Sequence, residues 1–373
     1  MTVEIREVKN KRDLKSFVRF PFSLYKDNKY WIPPLIKNEM EVLNSKKNPD
    51  FEYCEAKYWL AYKDNQLVGR IAGIYNKKYI EKWKNKYANF SRFDFVDDEE
   101  VSKALFDQVE AWAKSKGMEG VHGPLGFTTF DHQAILIEGF DEMPTSASVY
   151  NYEYYPVHLD RLGCKKEVDY IEFKINVPKE IPEKAVRIAN IVLKREKLKL
   201  IKSKSKRKLF SYAKQLFYVI NEAYEPLFYF IELTDKQMNR FIKKYTNLIK
   251  AKYILLVVDK KNKVIAFQIT MPSLSKAFQK ARGRLYPFGF IHFLIAARKP
   301  KVLDLYLIGV LPEYQGKGVN ALFMKDLTQT ALDNNILYGE SNSELEENIK
   351  VQSIWKYYNS RQHKRKRIYV KMF

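Results

Sequence analysis

The residues best spaced for chemistry stand at 315–318, Gln-Gly-Lys-Gly, between two runs of opposite character. Before them, Val302–Val310 is rich in β-branched and other apolar residues, and Leu311-Pro312 signals a turn, which predicts a buried strand. After them, apolar residues at 319, 322, 323, 327 and 331 repeat at helical spacing. Small residues at such a junction let backbone N–H groups crowd around an anion, and the helix N-terminus adds partial positive charge. Lys317 adds a full charge. The unit reads as a phosphate cradle.

The run Pro312-Glu-Tyr-Gln-Gly-Lys-Gly-Val resembles the acetyl-CoA pyrophosphate loop of the GNAT superfamily of N-acyltransferases. The family pattern is Arg or Gln, two residues, Gly, one residue, then Gly or Ala. Gln315 and Gly318 match it, while Asn320 departs, with a side chain that would either crowd the pyrophosphate or cap the helix. The resemblance implies that acetyl-CoA, or another acyl-CoA, is held at Gln315, Gly316, Lys317, Gly318, Val319 and Asn320. It also implies a splayed strand whose backbone N–H groups near Ile308, Gly309 and Val310 polarise the thioester carbonyl. Gly309 suits either a bulge or plain packing.

Amine acylation further needs a base for the amine and an acid for the leaving thiolate. Glu340, at the end of its strand, is the candidate base, directly or through water; a surface carboxylate would read the same. The stretch from Asn348 to Tyr358 resembles the family's second motif, in which Asn precedes a helix carrying a tyrosine acid. The counted position falls on Trp355, which has no phenolic proton, so Tyr357 and Tyr358 become the candidates if the register shifts, with a structural role the more ordinary reading for either. Asp304, inside the apolar strand, is either a partnered buried acid or an edge residue. The five histidines show no metal-ligand spacing, and His132, beside the Gly123-Pro-Leu-Gly turn, stands out among them.

The elements that must position these residues repeat in shape. Val3–Val8 alternates as a strand, Arg12–Tyr25 has helical character up to a break or kink at Pro21, and 58–75 forms a hairpin around Asp64-Asn65. Phe93-Asp-Phe is a strand segment, and Asp97, with Glu100 three residues on, opens a helix that Gly117 closes. A last helix and strand within 151–175 complete an order that resembles a GNAT unit. Four acidic residues, 97–100, stand where a CoA loop would be, and carboxylates at a helix N-terminus repel a pyrophosphate. After Val177-Pro-Lys-Glu-Ile-Pro the order recurs: helix 183–194, strand 197–204, helices 209–223 and 235–250, and hairpin 253–270. A helical stretch 276–299, interrupted at Pro287, leads into the cradle, and Ile336–Glu340 supplies the next strand.

The fold class expected is therefore α/β, two tandem GNAT-like domains, each a mixed central sheet flanked by helices. Residues 1–177 form a domain lacking a CoA loop, and 183–373 form the domain that carries it. Composition agrees: 373 residues, 46% hydrophobic and 15% aromatic, allow two large cores. Two cysteines exclude a disulfide framework, and the charged N-terminus excludes a signal peptide. Leu285–Ala297 is apolar but too short to span a bilayer. A cytoplasmic, soluble protein with no transmembrane segment is the simplest expectation. The net charge of +22 would attract CoA, nucleic acid or an anionic membrane surface, although a lysine-rich solvated surface gives the same number. The basic runs are Lys194–Lys208 and Arg361–Arg367, the latter leading into a closing strand.

The resemblance implies acetyl transfer from acetyl-CoA to a primary amine of a small molecule or peptide, in the C-terminal half, with a homodimer open. Two rivals are an aminoacyl-tRNA-dependent transferase of the Fem type, disfavoured by the intact loop, and a non-catalytic acyl-CoA-binding protein.

Overall fold

Alternating apolar and polar residues build the strands of a first compact unit, residues 1–171, 274–294 and 363–373. A computed structural model describes residues 2–203, 205–245 and 249–373. The first unit begins with β1 (Glu4–Glu7), β2 (Cys54–Lys63), β3 (Gln66–Asn76), β4 (Tyr87–Phe95), β5 (Gly120–Gly123) and β6 (Ile135–Glu138). β1 to β4 pair antiparallel in sequence order, and β5 joins β4 in parallel, so the sheet is mixed. Asp64 and Asn65, at φ 51° and 60°, make the two-residue turn that joins β2 to β3. Helix Glu99–Ser115 buries Val101, Leu105, Val109 and Trp112, and the core is dense in aromatic rings such as Phe90, Phe95 and Phe106. Each such ring, fully buried, contributes about 1.5–3 kcal/mol.

The chain then passes through β7 (Lys165–Asn176) into a second unit, residues 172–273 and 295–362. Its strands are β8 (Lys199–Ile201), β9 (Ile254–Val258), β10 (Val264–Pro272), β11 (Val302–Val310), β12 (Tyr338–Ser341) and the short β13 (Glu344–Leu345). Their order is β7-β12-β11-β10-β9-β8, antiparallel except for the parallel pair β11 and β12, so this sheet is mixed as well. Helices Glu183–Arg195 and Asn320–Asp333 pack against each other beside it. The final strand, β14 (Ser360–Met372), returns through residues 365–372 to pair with β5 and β6 of the first unit.

Several local expectations change. The units interleave along the chain, with 274–294 and 363–373 in the first, whereas the sequence suggested a single cut at 177–183. Pro21 does not end its helix: Lys11–Leu24 runs through it, and the Tyr25 N–H still reaches the Pro21 carbonyl at 2.9 Å. The cap of helix Glu99–Ser115 is Asp98, not Asp97, whose carboxylate instead meets His158 at 2.9 Å. The expected strand 197–204 is observed as β8, and the helix 235–250 as Asp235–Tyr245; residues 204 and 246–248 lie outside the described residues. The run Arg361–Arg367 faces solvent only at its start, Arg361 and Gln362. Lys364 and Lys366 are buried, and Arg365 and Arg367 both pair with buried Asp169.

Candidate functional site

β11 and β12 run in register over four residue pairs, Val302↔Tyr338 to Leu305↔Ser341, and then part. On its other side β11 pairs with β10, with a register shift that leaves Tyr306 as the extra residue. The bulge therefore lies at Tyr306 and not at Gly309. Gly309 is a packing glycine, since a Cβ there would come within 2.5 Å of the Phe267 ring. The Leu311 N–H bonds to the Ile265 carbonyl at 2.9 Å, which sets the alternation: residues 307, 309 and 311 direct their polar groups to β10. Ile308 and Val310 direct theirs to the edge that β12 has left. Accordingly the Ile308 carbonyl accepts from the Tyr224 hydroxyl at 2.9 Å, and the Val310 carbonyl from the Gln315 side-chain amide at 3.1 Å.

The loop that follows is built by its glycines. Gly316 and Gly318 take φ values of 75° and 85°, in the left-handed region that other residues enter only with strain. A Cβ on Gly318 would also press to 3.0 Å from Val192 on helix Glu183–Arg195. Helix Asn320–Asp333 begins without a side-chain cap, so Asn320 does not serve as one. Among the described residues, none accepts a hydrogen bond from the backbone N–H groups of Gly316, Gly318, Val319 or Asn320. These donors, at the positive end of a helix dipole, form a nest suited to an anion. The Lys317 ammonium lies 3.7 Å from the Glu196 carboxylate and over the Tyr314 ring. The hydrogen bond from Arg195, with Lys317 beside it, holds Glu196 below the usual carboxylate range.

Two buried carboxyls, Asp304 and Glu340, are cross-strand neighbours just before β11 and β12 part. A third group was not anticipated. Glu344, on β13, accepts from the Trp355 indole N–H at 2.9 Å. Burial raises its carboxyl to about 7, despite hydrogen bonds from Trp355 and Ser341, and the nearby Glu172 adds to the rise. The loop between Glu340 and Glu344 stays close to the parting strands, because the Asn342 side-chain amide donates to the Tyr306 carbonyl at 2.9 Å. The sequence held one clue. A buried indole needs an acceptor for its N–H, and Glu344 lies eleven residues before Trp355, across a turn and one short helix.

The remaining candidates fall elsewhere. Asn348 caps helix Ile349–Trp355, accepting from the Val351 N–H. Tyr358 is half-buried, its hydroxyl between the Thr328 hydroxyl at 2.9 Å and the Met324 carbonyl, and burial raises it above an ordinary phenol. Tyr357 is exposed, with Lys184 over its ring. Neither tyrosine is hydrogen-bonded to Glu340 or Glu344. His132 is exposed, while His122 is fully buried between Glu167 and Asn89. Among the described residues no cluster has metal-ligand composition, and no helix is long and apolar enough to cross a membrane.

No family model matches the chain. Protein YghO of Escherichia coli K12 is 27% identical over 374 residues, spanning 98% of this chain and 95% of that protein. Bacterial ceramide synthase of Caulobacter vibrioides is 23% identical over 318 residues, 83% of this chain and 80% of that one. Among solved structures, a tandem GNAT protein from the clavulanic acid biosynthesis pathway covers 99% of this chain with 98% of its own, at a TM-score of 0.56 and 9% identity. A likeness at that identity is one of fold. The chain has the tandem GNAT fold.

Proposed function

We propose that the second unit transfers an acyl group from acyl-CoA to a primary amine. One observation carries this reading: among the described residues, four backbone N–H groups at 316 and 318–320 have no acceptor, beside a strand whose Ile308 and Val310 face an open edge. The nest suits the pyrophosphate of CoA, with Lys317 exchanging Glu196 for phosphate. When bound, acyl-CoA supplies the activated thioester. The Ile308 and Val310 N–H groups are the donors for its carbonyl oxygen. The amine nitrogen bonds to the carbonyl carbon, the C–S bond breaks, and one proton passes from nitrogen to sulfur. Glu344 is suited to carry that proton, because a carboxyl titrating near 7 both accepts and releases it at neutral pH. Glu340 is the second candidate for this role, while Tyr357 and Tyr358 stand aside as acids.

The relative named bacterial ceramide synthase favours a long-chain amine as acceptor, since ceramide is the amide of a lipid amine. Calorimetric titration of the full chain with acetyl-CoA and palmitoyl-CoA tests the site, with Lys317→Glu as control. The expected result is binding that the control abolishes, followed by amide formation when a long-chain primary amine is added. Absence of binding to either thioester would overturn the reading. Binding without amide formation from any amine would reduce it to an acyl-CoA-binding role.

A further inference from the structure

The segment 282–294 of the first unit, which includes the first six residues of helix Gly289–Arg298, carries an apolar surface that the acyl-transfer reading does not use. Helix Gly289–Arg298 contains Phe, Ile, Phe, Leu, Ile and two Ala, yet none of its residues is buried. A helix apolar on nearly every side normally lies in a protein core or in lipid. Phe290, Ile291 and Leu294 share one face of it and are exposed, Leu294 to 61%. The loop before it adds Tyr286 and Phe288, exposed to 79% and 71%. Phe293 turns back to the unit's own helix Ser275–Ala281 and meets Phe278 edge-on at 4.8 Å, which fixes the segment on the body.

The charges around this surface have one sign. From Ser275 to Leu303 the chain has seven Lys or Arg and no Asp or Glu. Arg282 and Arg284, just before the apolar loop, are exposed, and the helix ends on exposed Arg298. Ten helical residues span about 15 Å, against a hydrocarbon core of about 30 Å, so the segment is too short to cross a bilayer. Its length suits lying in the interface, with aromatic rings at headgroup depth and guanidinium groups on lipid phosphates.

We propose that residues 282–294 dock the protein on the surface of an anionic membrane. The rings of Tyr286, Phe288 and Phe290 enter the headgroup–acyl boundary, and Arg282 and Arg284 pair with the phosphates around them. The basic apolar composition selects this occupant over a second copy of the chain, because two such faces would oppose their own positive charges.

The test is co-sedimentation of the full chain with vesicles of equal parts phosphatidylcholine and phosphatidylglycerol, without acyl-CoA present. The double substitution Phe288→Ser with Leu294→Ser leaves every charge in place, and Arg282→Gln with Arg284→Gln leaves every ring. Each pair is expected to lower vesicle partitioning about tenfold, with an unchanged melting temperature and unchanged acyl-CoA titration. The calorimetric arm fails or succeeds separately, so failure of the acyl-transfer reading leaves this result interpretable. Full binding by the serine pair would mean that the overall charge alone attracts lipid, and would overturn the proposal. So would no binding by the parent chain. Light scattering closes the remaining route: a dimer that the serine pair dissolves would assign the face to a second copy instead.

Discussion

Two strand–helix junctions, one in each unit, share their geometry and differ in their residues. In the first, β4 and β5 run parallel for three pairs, Tyr87↔Gly120 to Asn89↔His122, and then part; in the second, β11 and β12 do so after four. Each central strand is also shifted in register against its antiparallel partner. At the following helix the likeness ends. Asp98 caps helix Glu99–Ser115 by accepting from the Glu100 and Val101 N–H groups, and Lys63 bridges Asp98 and Glu100 at 2.7 and 3.1 Å. The dipole there is satisfied by the protein's own carboxylates. At Gly316–Asn320, among the described residues, no side chain does this, which is the feature the proposed acyl-CoA site relies on. The fold thus supplies the frame twice, while about four residues distinguish the two helix starts.

The largest effect that would sharpen this contrast is in the chemistry. Glu344→Gln is expected to lower kcat by about a hundredfold or more, the range for losing a general acid–base, with acyl-CoA affinity retained. The parent rate should rise with pH through about 7 as Glu344 ionises, and the variant should lose that limb. Stability gives an independent reading. A carboxyl raised from 4.5 to about 7 by folding contributes stability that is complete below pH 4.5 and lost as pH rises through 7. Glu344→Gln should remove this slope, which is on the order of 3 kcal/mol across the window. An unchanged pH–rate profile would hand the role to Glu340.

Next in size is the cradle itself. Gly318→Trp places a side chain where φ is 85° and Val192 stands 3.0 Å from the Cβ, and should weaken acyl-CoA binding by about thirtyfold or more, the worth of one or two charge-assisted contacts. The matching change in the first unit, Asp98→Ala, should leave binding untouched and cost about 1 kcal/mol of stability through the lost cap. If Asp98→Ala weakened acyl-CoA binding as much as Gly318→Trp, the contrast between the junctions would fail.

How much of this was legible in the sequence depends on the range of the forces involved. The strand, glycine turn and helix at 302–333 were, because left-handed glycines, a turn and helical periodicity are local signals. The acidic first junction was too, although the cap fell on Asp98 because Asp97 is drawn to His158, a partner 61 residues away. Glu344 was not legible. Its carboxyl is shifted by burial and by Trp355 and Glu172, which only the folded sheet brings near it. Gly309 was left open between a bulge and packing for the same reason, since it is Phe267 on the neighbouring strand that requires glycine there. The interleaving of the units was equally hidden, because the pairing of β14 with β5 and β6 is set by contacts far apart in the chain.

The smallest effect probes what the second junction does without its ligand. Lys317 and Glu196 stand 3.7 Å apart and both are partly exposed, with 44% of the lysine side chain in water. An ion pair so placed is weak after solvent screening, so it restrains the lysine without locking it. Any phosphate that Lys317 receives must displace Glu196 or leave its negative charge close by. Glu196→Gln keeps the side-chain shape and removes the competitor, and should raise acyl-CoA affinity about threefold at low salt, with the gain shrinking as salt is added. The same substitution should leave binding of a CoA analogue lacking the pyrophosphate unchanged, because that ligand gains nothing from a freed lysine. Equal gains for both ligands would place Glu196 against another part of CoA. A loss for acyl-CoA would mean that Glu196 supports the loop through Arg195, whose guanidinium also holds the Lys317 carbonyl at 2.9 Å, more than it competes for the lysine.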